Sequence, residues 1–321
     1  MIALSDATDQ RNPIRMFGLA LHGGAGTLPR SEMSSEQEAR YRAGLELALS
    51  AGYEVLESGG SSMEAVTRTI VVLEDDPSFN AGRGAVFTLD GRNELDASIM
   101  DGETLAAGAV CGVTQIKNPI LLARAVMEKS DFVFLSGTGA EEFAQLQGFE
   151  RLSADYFHTE ARWRQLERIR NGDTSVSALT ISHVGTVGAV ALDARGRLAA
   201  GTSTGGMTGK RYHRIGDSPV IGAGTYADNR SCAVSCTGHG EVFIRAAVAH
   251  DISARMRYGG RDLATAVREV VLQELVNLHG EGGVIAIDSQ GEICMEFNSE
   301  GMFRACRKAD GAAEILIYRD G

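Results

Sequence analysis

Three turn sequences between apolar segments most constrain how this chain can fold. Asp90-Gly91 separates the predicted strands Ala85–Leu89 and Glu94–Met100, and this dipeptide is one of the stronger short hairpin signals. Similar hairpins are predicted around Ala194-Arg195-Gly196 and Ser289-Gln290-Gly291. Because hairpins supply so many of the strands, the pattern favours antiparallel sheets over the parallel sheet of a repeated βαβ unit.

Helical spacing of apolar residues alternates with these strands in both halves of the chain. The predicted helices cover Ser35–Glu57, Ser62–Glu74, Pro119–Lys129, Ala140–Gln147, Glu160–Arg170, Glu241–Arg257 and Leu263–Val276. Mixed helices and hairpins predict the α+β class, with antiparallel sheets that are each covered by helices on one side. The 321 residues are compatible with a single large unit over 1–321.

Charge and composition exclude several classes of partner. The net charge of -11 disfavours binding to phosphate backbones or anionic lipid heads, so we expect neither nucleic acid nor membrane as a partner. No apolar run approaches the roughly 20 residues that span a bilayer, and the N-terminus lacks a secretory signal. An odd count of 5 cysteines argues against a disulfide framework, so a cytoplasmic location is expected.

A polar stretch precedes Thr186 and suggests a nucleophile made by chain cleavage. Residues from about 150 to 185 are predicted to be a mobile linker, and strand-like alternation resumes abruptly at Thr186. A threonine hydroxyl needs an adjacent base, and a chain-terminal threonine carries its own, because an α-amine has a pKa of about 7.7–8.0. Gly185 lacks a side chain that would hinder attack on its carbonyl. The competing interpretation is that Thr186 is an ordinary strand residue. Without further sequence context, that interpretation is the simpler one.

Several long motifs in order make the chain resemble the plant-type (class 2) L-asparaginase / isoaspartyl aminopeptidase family of the Ntn-hydrolase superfamily. The resemblance runs from about Phe17 to Tyr318. Its motifs are His22-Gly-Gly-Ala-Gly26, Phe79-Asn-Ala-Gly-Arg-Gly84, Leu95-Asp-Ala-Ser-Ile-Met-Asp-Gly102, Gly185-Thr-Val-Gly-Ala-Val-Ala-Leu-Asp193, Thr202-Ser-Thr-Gly-Gly206, Gly216-Asp-Ser-Pro219 and Ser235-Cys-Thr-Gly-His-Gly-Glu241. It implies a four-layer αββα sandwich, cut into an α-subunit of residues 1–185 and a β-subunit of residues 186–321, with two such heterodimers paired.

The resemblance also implies roles for individual residues. Thr186 would be the nucleophile after autocleavage at the Gly185–Thr186 bond, and Thr204 would assist it. Thr237 with the backbone of Gly238 would form the oxyanion hole. The remaining expected residues are Arg214 for the substrate α-carboxylate, Asp217 for its α-ammonium, Asn80 as support near the nucleophile and Gly240 for close backbone approach to the substrate.

A structural sodium ion is implied as well, held by backbone carbonyls in the loop before the first hairpin. The matching positions are Leu73, Glu74, Asp76, Phe79, Ala81 and Arg83. No cofactor is expected for catalysis.

The implied function is an autoprocessing threonine hydrolase that cleaves β-aspartyl dipeptides and L-asparagine to release L-aspartate. The expected substrate is therefore a small zwitterionic amino acid or dipeptide. Two alternatives stay open at this point: a glycosylasparaginase-like amidase with the same nucleophile, and a catalytically silent amino-acid-binding protein with the same fold. The silent protein would have no need of Thr186, Thr204 and Thr237 together, and all three are present.

Overall fold

The computed structural model describes residues 16–26, 29–172 and 185–319, and the remaining part of the predicted linker, residues 173–184, lies outside the described residues. Strands in the described part form two sheets. Their bounds are β1 (Gly18–Gly26), β2 (Leu95–Asp101), β3 (Ala107–Val113), β4 (Phe134–Ser136), β5 (Val187–Leu192), β6 (Leu198–Thr204), β7 (Thr225–Ala227), β8 (Cys232–Gly238), β9 (Gly282–Asp288), β10 (Ile293–Phe297), β11 (Gly301–Lys308) and β12 (Glu314–Leu316).

The larger sheet has eight strands in the order β12-β11-β1-β5-β6-β2-β3-β4, and the smaller has four in the order β10-β9-β8-β7. Every recorded pairing between these strands is antiparallel except that of β3 with β4. The antiparallel sheets inferred from the hairpin turns are therefore confirmed.

Three helices have the predicted bounds because local signals fix their ends. In α1 (Ser35–Glu57), Ser34 and Gln37 form a capping box. α3 (Pro119–Lys129) starts with proline, and α5 (Glu160–Arg170) is capped by a threonine side chain. The others are α2 (Ser62–Asp75), α4 (Gly137–Leu146), α6 (Gly240–Ala246), α7 (Val248–Arg257), α8 (Leu263–Glu269) and, after a π-helical turn, α9 (Leu275–Asn277).

Three predicted elements differ from the structure. The helix over Leu263–Val276 is π-helical from Val270 to Glu274. The helix over Glu241–Arg257 is divided at Ala247, whose φ of 47° interrupts the helical backbone. The strand Ala85–Leu89 does not form, and its only recorded bridge joins Phe87 to Asn93. Its backbone carbonyls bond to a side chain instead, since the Asn93 side-chain amide donates hydrogen bonds to the Ala85 and Val86 carbonyls at 2.9 and 3.2 Å.

The elements stack in four layers, as the αββα prediction requires. Helices α1, α2 and α3 pack on one face of the larger sheet, and the smaller sheet packs on the other. Helices α7 and α8 cover the outer face of the smaller sheet. Each of the three junctions has its own buried apolar cluster. Among the described residues, no helix is both long and apolar enough to cross a membrane.

Strands from before and after the predicted cleavage point alternate within the larger sheet. β1 lies between β11 and β5, while β6 pairs with β2. The two predicted subunits thus contribute to one sheet and share one core, which is consistent with a single unit. The division at residue 185 itself stays a prediction.

A buried carboxyl group joins the end of α2 to the central strands. Glu74 is fully buried, and its Oε1 accepts hydrogen bonds from Ser203 Oγ at 2.6 Å and from the Ile120 amide at 3.1 Å. Its Oε2 has no hydrogen-bond partner among the described residues. Burial raises the pKa of Glu74 to about 8, so this group is protonated in the folded chain at neutral pH.

We expect Glu74→Gln to become increasingly stabilising relative to the native residue as the pH rises from 5 to 8. Because the pKa of Glu74 is raised, the folded chain keeps a proton that the unfolded chain releases once the pH exceeds the ordinary pKa of a glutamate. The native Glu74 contribution to stability is therefore lost by up to about 1.4 kcal/mol per pH unit in that window, and glutamine does not titrate. Denaturant melts of both chains at pH 5, 6.5 and 8 measure the difference; a difference that stays constant would contradict a protonated Glu74.

Candidate active site

Thr186 stands directly before β5, at the end of a central strand. Its hydroxyl donates to Thr204 Oγ1 at 3.1 Å. Thr204 ends the neighbouring strand β6, and its Oγ1 also accepts from the Gly206 amide at 3.0 Å. The pairing of Val187 with Ser203 in the β5–β6 ladder sets the two threonines side by side. The structure therefore brings together the predicted nucleophile and its predicted assistant.

The Gly185–Thr186 bond lies against the glycine-rich end of β1. A Cβ at Gly24, where φ is +116°, would approach Gly185 N to 2.4 Å. The register of β1 against β11 shifts between His22 and Gly24, which marks a β-bulge. Bulges of this kind often lie beside functional sites, where they redirect the chain. Here the missing side chain at Gly24 leaves room for Gly185, the residue that precedes Thr186.

Thr237 and Gly238 line the same cavity as Thr186. Thr237 lies near the end of β8 and is almost fully buried. Its Oγ1 accepts a hydrogen bond from the Ala25 amide at 3.2 Å. A hydroxyl oxygen that accepts from a backbone amide still has its own hydrogen to donate. Thr237 therefore retains a hydroxyl hydrogen that can be donated to a group in the cavity.

Arg214 and Asp217 line the cavity as well. The Arg214 guanidinium makes a two-point ion pair with Glu241, through Nε to Oε1 at 2.9 Å and Nη2 to Oε2 at 2.8 Å. Glu241 holds Arg214 in place in the manner of a bidentate arginine–carboxylate pair. Glu241 lies in one of the recognised motifs, but the motif alone does not predict this role.

Asp217 is a buried carboxylate with spare hydrogen-bonding capacity. It is only 4% exposed, and its Oδ2 has no hydrogen-bond partner among the described residues. Burial raises the pKa of Asp217 to about 7, against the opposing effect of the nearby Arg214 charge. A buried carboxylate oxygen without a partner is costly in the folded chain, and a bound ammonium group would satisfy it.

Two predicted residues act from outside the cavity lining. Asn80 donates to the Gly206 carbonyl at 2.8 Å and accepts from the Val86 amide at 2.9 Å, so it holds the loop after Thr204. Gly240 lies beside the charged pair, because a Cβ there would meet Arg214 Nη2 at 2.7 Å and Asp217 Oδ1 at 3.0 Å.

Other groups at the site were not singled out from the sequence. Five more residues line the cavity: Ala25, Gly206, Met207, Gly216 and Ser218. His22 touches Thr186 through a hydrogen bond from its Nδ1 to the Thr186 carbonyl at 3.0 Å. His22 and Ser218 lie inside the recognised motifs, but only the three-dimensional contacts reveal their positions.

The predicted sodium-binding segment runs from the last turn of α2 to the short helical turn at Gly82–Gly84. Leu73, Glu74, Phe79 and Ala81 are buried, and the Phe79 amide donates to the Asp76 carbonyl at 3.3 Å. The buried Arg162 guanidinium donates to the carbonyls of Ser78 and Gly84 at 3.2 and 2.8 Å. The six predicted positions therefore lie along the last turn of α2 and the loop that follows it. Among the described residues, no group of three or more His, Cys, Asp or Glu side chains could hold a metal.

Two sheets packed face to face between helical layers, with a threonine at the head of a central strand, define an N-terminal-nucleophile hydrolase architecture. The sequence model of the family described as asparaginase matches residues 15–317. The chain therefore belongs to the asparaginase family.

Similar proteins from bacteria, plants and animals carry related names. The chain is 51% identical to the isoaspartyl peptidase of Escherichia coli, over 94% of this chain and 96% of the relative. It is 41% identical to a probable isoaspartyl peptidase/L-asparaginase 2 of Arabidopsis thaliana, covering 94% of this chain and 99% of the relative. An isoaspartyl peptidase/L-asparaginase of Mus musculus is 41% identical, with 88% and 86% covered.

Proposed function

We propose that this protein is an amide hydrolase that cleaves β-aspartyl dipeptides and L-asparagine and releases L-aspartate. The observation that carries the proposal is the shared cavity of Thr186, Arg214 and Asp217. A cationic and an anionic side chain suit the carboxylate and ammonium of an amino-acid head. A substrate held in this way would present its side-chain carbonyl to the Thr186 hydroxyl.

Maturation would come first, by attack of Thr186 Oγ1 on the Gly185 carbonyl. The N–O shift turns the peptide bond into an ester, and water then opens the ester. Gly185 becomes the end of one chain, and Thr186 gains a free α-amine. Thr204 supports this step because its oxygen accepts the hydrogen bond of the attacking hydroxyl at 3.1 Å.

Hydrolysis would then use the new α-amine as the base. The neutral amine takes the proton of Thr186 Oγ1 as the oxygen attacks the substrate carbonyl. Thr237 and the Gly238 amide donate to the resulting oxyanion, a contribution that is worth several kcal/mol in comparable sites. Collapse expels the leaving amine with the proton, and water, activated by the same α-amine, cleaves the β-aspartyl ester.

The names of the relatives favour this function over the two alternatives. The three relatives named above are isoaspartyl peptidases or isoaspartyl peptidase/L-asparaginases. A glycosylasparaginase-like amidase or a silent binding protein has no comparable support.

The assembly we propose is a dimer of αβ heterodimers. We also propose a cytoplasmic location, because the five free cysteines suit a reducing compartment.

Intact mass spectrometry of purified protein held at 37 °C tests the proposal. We expect one fragment of residues 1–185 and a second that begins at Thr186, with L-aspartate released from a β-aspartyl dipeptide as the fragments accumulate. A chain that binds asparagine tightly without cleaving itself or turning the amino acid over would favour the silent binding protein. A matured chain that hydrolyses only glycosylated asparagine would favour the other amidase.

Substrate binding should weaken as the pH falls below 7. Asp217 must be ionised to hold an ammonium group, and burial raises its pKa to about 7. The inhibition constant of L-aspartate is therefore expected to rise toward about tenfold per pH unit between pH 7 and pH 5.5. Product inhibition is a better measure than turnover, because the α-amine of Thr186 also affects turnover. An inhibition constant that does not change over this range would refute the assignment of Asp217.

We further propose that the end of α2 and the loop after it, through Leu73, Glu74, Asp76, Phe79, Ala81 and Arg83, hold a structural sodium ion. Hard cations prefer oxygen ligands, and the backbone carbonyls of these six residues would supply them. Ligand binding to the folded chain alone raises its stability. The melting temperature should therefore be higher in sodium chloride than in choline chloride at equal ionic strength. Equal melting temperatures in the two salts would argue against the ion.

A further inference from the structure

A line of buried polar groups runs between the two sheets and ends at the nucleophile. None of its five side chains, from Ser98, Thr225, Thr202, Ser235 and His22, is exposed. Each group lies within hydrogen-bonding distance of the next. The separations are 2.8 Å for Ser98–Thr225, 2.6 Å for Thr225–Thr202, 2.7 Å for Thr202–Ser235, 2.9 Å for Ser235–His22 Nε2 and 3.0 Å for His22 Nδ1–Thr186 O. The proposed reaction steps do not use this line.

The Thr186 carbonyl sets the direction of the hydrogen bonds nearest to it. A carbonyl oxygen only accepts, so His22 Nδ1 carries the hydrogen and donates. Burial lowers the pKa of His22 to about 3, so the ring is neutral and its Nε2 accepts. Ser235 must then donate to Nε2. Its single hydrogen is used there, so its oxygen can only accept at the 2.7 Å contact with Thr202, whose hydroxyl also lies 3.0 Å from the Gly224 carbonyl.

Gly188 makes room for the last link of this line. A Cβ at Gly188 would approach Ser235 Oγ to 2.0 Å and His22 Nε2 to 2.5 Å. The His22–Ser235 pair therefore fills the place of a side chain on β5, two residues after Thr186. Such close packing leaves the imidazole little freedom to turn away from the Thr186 carbonyl.

The Thr186 carbonyl has particular need of a fixed partner. The β5 ladders begin at Val187 with β6 and at Gly188 with β1, so Thr186 lies just beyond them. After the proposed cleavage Thr186 also loses its covalent link to Gly185. Its carbonyl, bonded to His22, then helps to orient a residue that is joined to the chain only through Val187.

We propose that His22, oriented by Ser235, is a positioning residue that holds the Thr186 carbonyl and thereby aims the nucleophile. This inference rests on the proposed function, since it assigns His22 a part in both the maturation and the turnover by Thr186. Misplacement of a reacting group by about 1 Å can cost roughly 100-fold in rate. Among the described residues, the recorded hydrogen bonds of His22 go to Thr186 and Ser235 and not to Arg214 or Asp217, so we expect substrate binding to be unaffected.

Two substitutions separate the two nitrogen atoms of His22. An asparagine amide nitrogen occupies the place of Nδ1, so His22→Asn keeps a donor for Thr186. A glutamine reaches the place of Nε2, so His22→Gln keeps the contact to Ser235 and loses the donor. We expect His22→Gln to lower kcat roughly 100-fold, with KM for L-asparagine changed less than about threefold. His22→Asn should retain a kcat at least about tenfold above that of His22→Gln, and self-cleavage should slow in the same order.

The rates are compared per mole of matured chain, counted by intact mass, so that slow maturation is not mistaken for slow turnover. Ser235→Ala serves as a milder variant should His22→Gln not fold, and we expect it to lower kcat about tenfold with KM retained. The matched control is Ser253→Ala, which removes a buried hydroxyl on α7 whose 2.7 Å partner is Ser231, in the turn just before β8. It should leave kcat unchanged.

Equal losses in His22→Asn and His22→Gln, or losses confined to KM, would overturn this role for His22. So would native kcat in Ser235→Ala. Failure of the unsubstituted chain to cleave itself or to hydrolyse L-asparagine would instead count against the proposed function. The two failures are therefore distinguishable in one set of measurements.

Discussion

Thr186→Ala is expected to remain a single chain of 34.1 kDa through prolonged incubation and to release no detectable aspartate. Alanine removes the oxygen that donates to Thr204, and with it both the attack on Gly185 and the attack on substrate. Loss of a nucleophile commonly lowers turnover by roughly 10⁴-fold or more. Intact mass and an aspartate-release assay on the same sample measure both consequences.

Thr186→Ser is the matched control, because it retains the hydroxyl and removes only the methyl group. We expect it to mature more slowly than the native chain and to hydrolyse L-asparagine at a reduced rate. Two fragments or aspartate release from Thr186→Ala would refute the assignment of the nucleophile. An uncut, inactive Thr186→Ser would indicate that folding at this position, rather than chemistry, limits both variants.

The second large effect is expected from Asp217→Asn. This change keeps the shape of the side chain and removes the charge that is proposed to hold the substrate ammonium. Removal of one partner of a buried charge pair costs about 2–5 kcal/mol, or roughly 30- to 5,000-fold in kcat/KM. The loss should appear mainly as a higher KM, and the pH dependence of L-aspartate inhibition below pH 7 should disappear.

Asp288→Asn provides a matched control for the same chemical change. Asp288 lies at the far end of β9 from Gly282, which pairs with Gly238. Its Oδ1 accepts from two backbone amides, a role that an asparagine oxygen can also fill. Its kinetics should match those of the native chain. An Asp217→Asn variant with the same KM as Asp288→Asn would show that the substrate head binds elsewhere.

Local signals in the sequence predicted the elements better than they predicted their partners. Ser34 and Pro119 set the starts of their helices through interactions within a few residues. The strand Ala85–Leu89 was wrong because Asn80 and Asn93, which lie outside it, take up its backbone groups. Strand pairing is non-local, and nothing near β1 in the sequence indicates that it lies between β5 and β11.

In the candidate site, too, the sequence identified individual residues better than the contacts between them. The resemblance supplied Thr186, Thr204, Thr237, Arg214 and Asp217, and the structure places these residues around one cavity. The partners that hold them were not predicted. Glu241 forms an ion pair with Arg214, and His22 is hydrogen-bonded to Thr186, which lies 164 positions away in the sequence. Such partners depend on how the two sheets are packed, which residue spacing alone does not determine.

The alternation of strands in the larger sheet has a consequence for the proposed two-chain enzyme. Three of its neighbouring strand pairs, β11–β1, β1–β5 and β6–β2, would join one product chain to the other. Cutting the bond before Thr186 would leave every one of these ladders in place. The fragments should therefore migrate as one species on a native gel and separate only in denaturant. Neither fragment alone contains the neighbours that its central strands require, so recovery of activity after separation would require both chains to fold together.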